Sequence, residues 1–175
     1  MQRIFLIGYM GVGKTSIGVV LAKELGLSFI DLDQFIEKRY NKSVSQIFAE
    51  KGESCFRDIE ARVLNEVSEF EDVVVSTGGG APCFHGNIQK MNETGISVYL
   101  KTTPERLAKR LEPCKGSRPL LKNKTPEELR SFIAENLQKR EPFYSQAKLI
   151  LDVDSLQTDA DVTQIALQLT ELLKQ

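Results

Sequence analysis

Tryptophan is absent from this 175-residue sequence, and histidine occurs once, at His85. Chemistry that needs a histidine pair, such as a two-histidine metal site, is therefore excluded. Cysteine is sparse. Cys55, Cys83 and Cys114 are odd in number and widely spaced, which fits neither a disulfide framework nor a zinc site. Such thiols are expected to be reduced, which suggests the cytoplasm. No apolar run approaches the roughly 20 residues of a membrane span. The N-terminal residues lead into a strand-like segment rather than a signal-peptide layout. Excess charge is missing too: 23 Lys and Arg against 24 Asp and Glu leave a net charge of -1. That balance gives no electrostatic case for a nucleic-acid or anionic-membrane partner. The remaining composition, 41% hydrophobic and 27% charged, is that of an ordinary globular chain. A chain of this length forms one domain and buries about 70% of its unfolded surface.

What is present is concentrated near the start. Gly8-Tyr9-Met10-Gly11-Val12-Gly13-Lys14-Thr15 fits the phosphate-binding loop pattern Gly-x-x-x-x-Gly-Lys-Ser/Thr without a mismatch. The apolar run Ile4-Phe5-Leu6-Ile7 before it reads as a buried strand. After it, Ile17, Val20, Leu21 and Leu25 recur at helical spacing. Glycines let the backbone take positive φ, so successive N–H groups can face an anion at a helix N-terminus. In that pattern Lys14 reaches the β- and γ-phosphates and the Thr15 hydroxyl ligates Mg²⁺. The alternative is a glycine-rich turn with an exposed lysine, and the strand-loop-helix context argues against it.

The chain then alternates strands and helices. Ser28-Phe29-Ile30-Asp31, Val73-Val74-Val75, Ile96–Leu100 and Leu149-Ile150-Leu151 read as four further strands. Residues 34–70 read as helical, broken near Asn41-Lys42 and Gly52. A short helix is expected around 86–92. Thr103-Pro104 opens another, ending near Pro113, and Thr125-Pro126-Glu127-Glu128 is a capping box for a helix toward Tyr144. Val162, Ile165, Ala166, Leu169 and Leu173 mark a closing helix. Lysine-rich residues 112–125, interrupted by Pro113, Gly116 and Pro119, read as a mobile loop. The pattern predicts an α/β fold with a parallel sheet covered on both faces.

Two further features fall at strand carboxyl ends, where ligands bind in parallel α/β sheets. Asp31-Leu32-Asp33 follows the second strand. On a strand end, residues i and i+2 point the same way, so one carboxylate could face Mg²⁺ and the next a hydroxyl nucleophile. The alternative for an aspartate there is helix N-capping. Thr77-Gly78-Gly79-Gly80 follows the third strand and suits backbone passing close to a ligand, or a flexible turn. Arg57, Arg110, Arg118 and Arg140 are candidate anion forks. From residue type alone a solvated surface role is open for each. Arg118 stands out because it lies in the broken loop, where a lid arginine stabilises a transferring phosphoryl group. His85 reads as incidental.

Taken together, the phosphate loop, Asp31-Leu32-Asp33, Gly52-Glu53-x-x-Phe56-Arg57-x-x-Glu60, Ser76-Thr77-Gly78-Gly79-Gly80, Arg118-Pro119-Leu120-Leu121 and Arg140-x-Pro142-x-Tyr144-x-x-Ala147 resemble shikimate kinases, a nucleoside-monophosphate-kinase-like family, over nearly the whole chain. The resemblance implies a three-layer fold with a five-stranded parallel sheet in order 2-3-1-4-5. It also implies a substrate-binding insert at 33–61 and a lid at 112–124. It implies ATP-dependent phosphorylation of the 3-hydroxyl of shikimate, with Mg²⁺ held by Thr15 and Asp31. By resemblance, Asp33, Arg57, Gly79 and Arg140 hold shikimate, and Gly78 and Gly80 complete the backbone wall. Gly11, Val12, Gly13, Lys14, Thr15, Ser16, Arg110 and Arg118 bind ATP, with Arg110 stacking near adenine. Asp33, Lys14 and Arg118 carry the chemistry. The order Thr15-Ser16 departs from the Ser-Thr more common among relatives, but either order puts a hydroxyl on the metal. Residues 152–156 match only loosely. The chain is expected to act as a monomer. A gluconate or nucleoside-monophosphate kinase is the alternative enzyme. A GTPase-like switch would need a base-reading Asn-Lys-x-Asp motif, which is absent.

Overall fold

The structure is a computed structural model that describes residues 2–118 and 120–174, apart from the Ser117 side chain. Five strands, β1 (Arg3–Ile7), β2 (Ser28–Asp31), β3 (Val73–Ser76), β4 (Ile96–Lys101) and β5 (Leu149–Asp152), form one sheet. Its order is β2-β3-β1-β4-β5 and every pairing is parallel. Both faces are covered by α1 (Lys14–Leu25), α2 (Leu32–Tyr40), α3 (Val44–Val67), α4 (Asn87–Thr94), α5 (Pro104–Leu111), α6 (Pro126–Tyr144) and α7 (Asp159–Leu173).

The apolar strand runs follow from that arrangement, because a strand buried on both faces has no polar side. Ile4 and Leu6 of β1 point into one core layer with Ile17 and Leu21 of α1 and Ile165 and Leu169 of α7. Phe5 and Ile7 point into the other, with Leu32, Ile36, Ile59 and Val63 of α2 and α3. Each such side chain, fully buried, contributes about 1.5–3 kcal/mol. The burial fixes the register, and Asp31 of β2 pairs with Ser76 of β3, which pairs with Leu6 of β1. The carboxyl ends of these three strands therefore share one edge. No helix among the described residues is long and apolar enough to cross a membrane.

Three boundaries differ from the sequence expectation. The helix after β2 begins at Leu32 rather than 34, so Asp33 sits in its first turn and not on a strand end. Asn41, in left-handed conformation, stops α2. Gly52 (φ 79°, ψ 171°) kinks α3, which ends at Val67 rather than 70. The expected mobile loop opens as a 3-10 helix, Glu112–Ser117, whose backbone turns over to Arg118. Pro119 of the lid motif lies outside the described residues.

Candidate active site

The phosphate loop takes the geometry its glycines permit. Gly8, Gly11 and Gly13 have φ of 141°, 78° and 106°, all unfavourable for other residues. Gly13 is the N-cap of α1, with no side-chain cap and no acidic residue in the first turn. The positive end of that helix is thus left for an external anion. Lys14 is buried and folds back onto the loop, with Nζ donating to Gly8 O at 2.8 Å and Tyr9 O at 3.0 Å. Burial lowers its pKa to about 8, against the pull of the Asp33 carboxylate. A polyanionic ligand would restore its full charge.

Met10, Gly11, Gly13, Lys14, Thr15 and Ser16 line a cleft of about 420 Å³ together with Asp31, Asp33, Ser76, Gly78, Gly79, Arg110 and Arg118. Val12 is buried behind the loop. Asp31 caps α2, the alternative reading for it, and also contacts Thr15. Oδ1 accepts from the Gln34 backbone N–H at 3.2 Å as the N-cap of α2, while Oδ2 accepts from Thr15 Oγ1 at 2.9 Å. Ser76 Oγ lies 3.5 Å from Thr15 Oγ1, so a hydroxyl to which the sequence assigned no role joins this oxygen cluster. Asp33 has a raised pKa, first through burial and then through the Asp31 charge, with Lys14 and Arg57 opposing.

Arg57, Gly80 and Arg140 are not on the cleft lining. They stand against its glycine wall. A Cβ on Gly78 would lie 3.0 Å from both Asp33 Oδ1 and Glu60 Oε1, and one on Gly79 would lie 3.1 Å from Arg140 Nη1. One on Gly80 would lie 2.5 Å from Arg57 Nη2. None of the three has positive φ. They are glycine because the flanking side chains pack where a Cβ would stand. Arg57 Nη1 donates to Glu60 Oε2 at 2.7 Å and Nη2 to Glu53 Oε1 at 3.3 Å. Arg140 stacks over the Tyr9 ring at 5.1 Å. Buried Arg57 Nε, Arg140 Nη1, Glu60 Oε1 and Tyr9 OH find no hydrogen-bond partner. Orphaned donors on two neighbouring arginines suit an anion with paired oxygens, since a buried unmet donor is costly.

Glu60, part of the Gly52–Glu60 motif, has no role assigned by the sequence. Its carboxyl is almost wholly buried, and burial pushes its pKa up to about 7 although Arg57 pulls the other way. Tyr144 likewise has no role assigned by the sequence. Its buried hydroxyl donates to Gly79 O at 2.5 Å and so fixes the glycine wall. Arg110 donates to the carbonyls of Val12 (3.3 Å), Val153 (2.9 Å) and Leu156 (2.7 Å). It therefore braces the phosphate loop against residues 153–156. It also lines a second cleft with Leu156, Gln157 and Thr158.

The family model for shikimate kinase matches residues 10–171. The shikimate kinase of Parabacteroides distasonis is 58% identical over 99% of this chain and 100% of its own length. The 1.7 Å crystal structure of shikimate kinase from Bacteroides thetaiotaomicron superposes with a TM-score of 0.95 at 48% identity, covering 99% of each chain. Shikimate kinase from Acinetobacter baumannii, solved in complex with shikimate, has a TM-score of 0.86 at 34% identity, covering 99% of this chain and 93% of that one. Identity at this level along nearly the whole chain means that the chain belongs to the shikimate kinase family.

Proposed function

We infer that the chain transfers the γ-phosphoryl group of ATP to the 3-hydroxyl of shikimate, giving shikimate 3-phosphate and ADP in aromatic amino-acid biosynthesis. The observation that carries this reading is the cleft itself. A phosphate loop meets an aspartate, and the glycine wall beside them is flanked by two arginines with unmet buried donors. The arginine pair suits an acceptor that carries an anionic group, and the aspartate suits one that offers a hydroxyl.

In this reading Arg57 and Arg140 take the acceptor's carboxylate through their free N–H groups, and the Gly78–Gly80 backbone walls the ring. Asp33 orients the 3-hydroxyl and accepts its proton; a carboxylate of raised pKa is a better base near neutrality. Gly11, Val12, Gly13, Lys14, Thr15 and Ser16 cradle the triphosphate, while Lys14 and Arg118 offset the charge developing on the transferring group. Arg110 flanks the adenine, with its side chain held by the carbonyls of residues 153 and 156.

Thr15 Oγ1 and the Asp31 carboxylate are hard oxygen donors 2.9 Å apart, a set that fits Mg²⁺. When bound with the nucleotide, Mg²⁺ neutralises phosphate charge. Residues 33–61 are the substrate-binding insert, formed by α2 and the first part of α3. Residues 112–124 are the lid, whose closure excludes water. A monomer in the cytoplasm is the assembly and compartment we propose, the latter supported by the sparse, widely spaced cysteines.

Asp33→Asn keeps the side-chain shape and removes the base. Shikimate turnover is expected to fall at least a hundredfold, with general-base contributions being about 10²–10⁴, while the ATP Kd stays within twofold. Wild-type turnover in that variant would overturn the assignment.

A further inference from the structure

The Arg57 guanidinium is contacted on its edges by carboxylates and on its faces by rings. The edges meet Glu60 and Glu53. The rings are Phe84 at 4.4 Å from the guanidinium carbon, Phe56 at 5.4 Å and Phe48 at 5.8 Å. Phe48 and Phe56 belong to α3, as does Arg57, and they stack on each other at 4.6 Å. Phe84, the nearest of the three, comes from a different part of the chain.

Its loop is shaped to deliver it there. After the 3-10 turn Ala81–Cys83, Phe84 is extended, and the chain reverses through two successive left-handed residues, His85 (φ 52°) and Gly86 (φ 69°). Left-handed φ is costly at a non-glycine residue and persists where the surroundings impose it. Two bonds of Asn87 impose it here. Its backbone N–H donates to Phe84 O and its buried Nδ2 to Ala81 O, both at 2.9 Å. His85 Nε2 also lies 3.0 Å from Asp58 Oδ1, beside Arg57 on α3. Phe84 is 37% exposed and belongs to neither core layer, so core burial does not explain its position.

We propose that Phe84 is a positioning residue for acceptor binding. Its ring covers one face of the Arg57 guanidinium and holds the plane so that the edge carrying the unmet Nε meets the acceptor's carboxylate. All guanidinium donors lie in the plane, so a ring on the face displaces water without blocking a hydrogen bond. The covered face lowers the local dielectric and strengthens the ionic contact made at the edge. The proposal rests on Arg57 being the carboxylate ligand and adds the residue that aims it.

The test is steady-state kinetics of Phe84→Leu and Phe84→Tyr beside wild type, with melting temperatures for all three. Leucine keeps an apolar side chain without a π face; tyrosine keeps the face. For Phe84→Leu we expect the shikimate KM to rise roughly threefold to thirtyfold, with kcat and the ATP KM within twofold. Phe84→Tyr should restore the wild-type KM. An unchanged KM in Phe84→Leu, equal impairment of the two variants, or a fall in kcat at constant KM overturns the proposal. A wild-type protein that fails to phosphorylate shikimate overturns the functional reading instead, and the two failures are distinguishable in the same experiment.

Discussion

Gly80→Ala isolates one contact of the acceptor site. Gly80 lies in the right-handed helical region (φ −88°, ψ −16°), so its backbone accepts alanine without strain. At such a position alanine alone would stabilise by about 0.4–1 kcal/mol through the unfolded chain. The added Cβ, however, would lie 2.5 Å from Arg57 Nη2 and 2.8 Å from its Cζ and Nη1. Relieving that overlap needs a shift of nearly 1 Å. Arg57 has little room to move, being held by Glu60 at 2.7 Å and capped by Phe84 at 4.4 Å. Disturbing one partner of a buried charge pair costs about 3–5 kcal/mol in stability and 2–5 kcal/mol in binding.

Offsetting the alanine gain, we expect a loss of about 2–4 kcal/mol, or a Tm lower by about 5–15 °C. We expect a shikimate KM about a hundredfold higher, with the ATP KM unchanged. Gly26→Ala is the control, because Gly26 has positive φ (68°) and open space around it. It should lose about 1 kcal/mol of stability and leave the shikimate KM alone. A wild-type shikimate KM in Gly80→Ala would refute the packing argument.

Glu60 has a folded pKa of about 7, above its unfolded 4.5, so the fold holds its proton more tightly. Its contribution of about 3 kcal/mol is complete below pH 4.5 and is lost as pH rises through 7. Denaturant midpoints between pH 5.5 and 8 should show this slope in wild type and its loss in Glu60→Gln; equal slopes would contradict the reading. Tyr9 buries a hydroxyl without a partner while its ring carries Arg140. Tyr9→Phe keeps the ring and should raise stability by about 1 kcal/mol, seen as a Tm about 2–4 °C higher. A comparable drop would mean that the hydroxyl is bonded.

The fold was largely legible in the sequence because its signals are local. The run Ile4–Ile7, the glycine spacing through Lys14 and the capping box at Thr125 each act within a few residues. The site was legible in part. Asp31 and Asp33 were placed together on a strand-end argument, whereas α2 starts between them and a helical turn brings both to the cleft. The glycine run was traced to ligand approach, yet Gly78, Gly79 and Gly80 are crowded by Asp33, Glu60, Arg140 and Arg57, from elements distant in sequence. Phe84 and Tyr144 escaped for the same reason. Their partners, Arg57 and Gly79, are 27 and 65 residues away.

The central claim is acceptor-specific phosphoryl transfer. Its most direct test is a coupled ADP-release assay with Mg·ATP, with and without shikimate, using gluconate and a nucleoside monophosphate as controls. The cleft described above predicts ADP release that depends strictly on shikimate. Release driven by another acceptor, or indifferent to every acceptor, would contradict it.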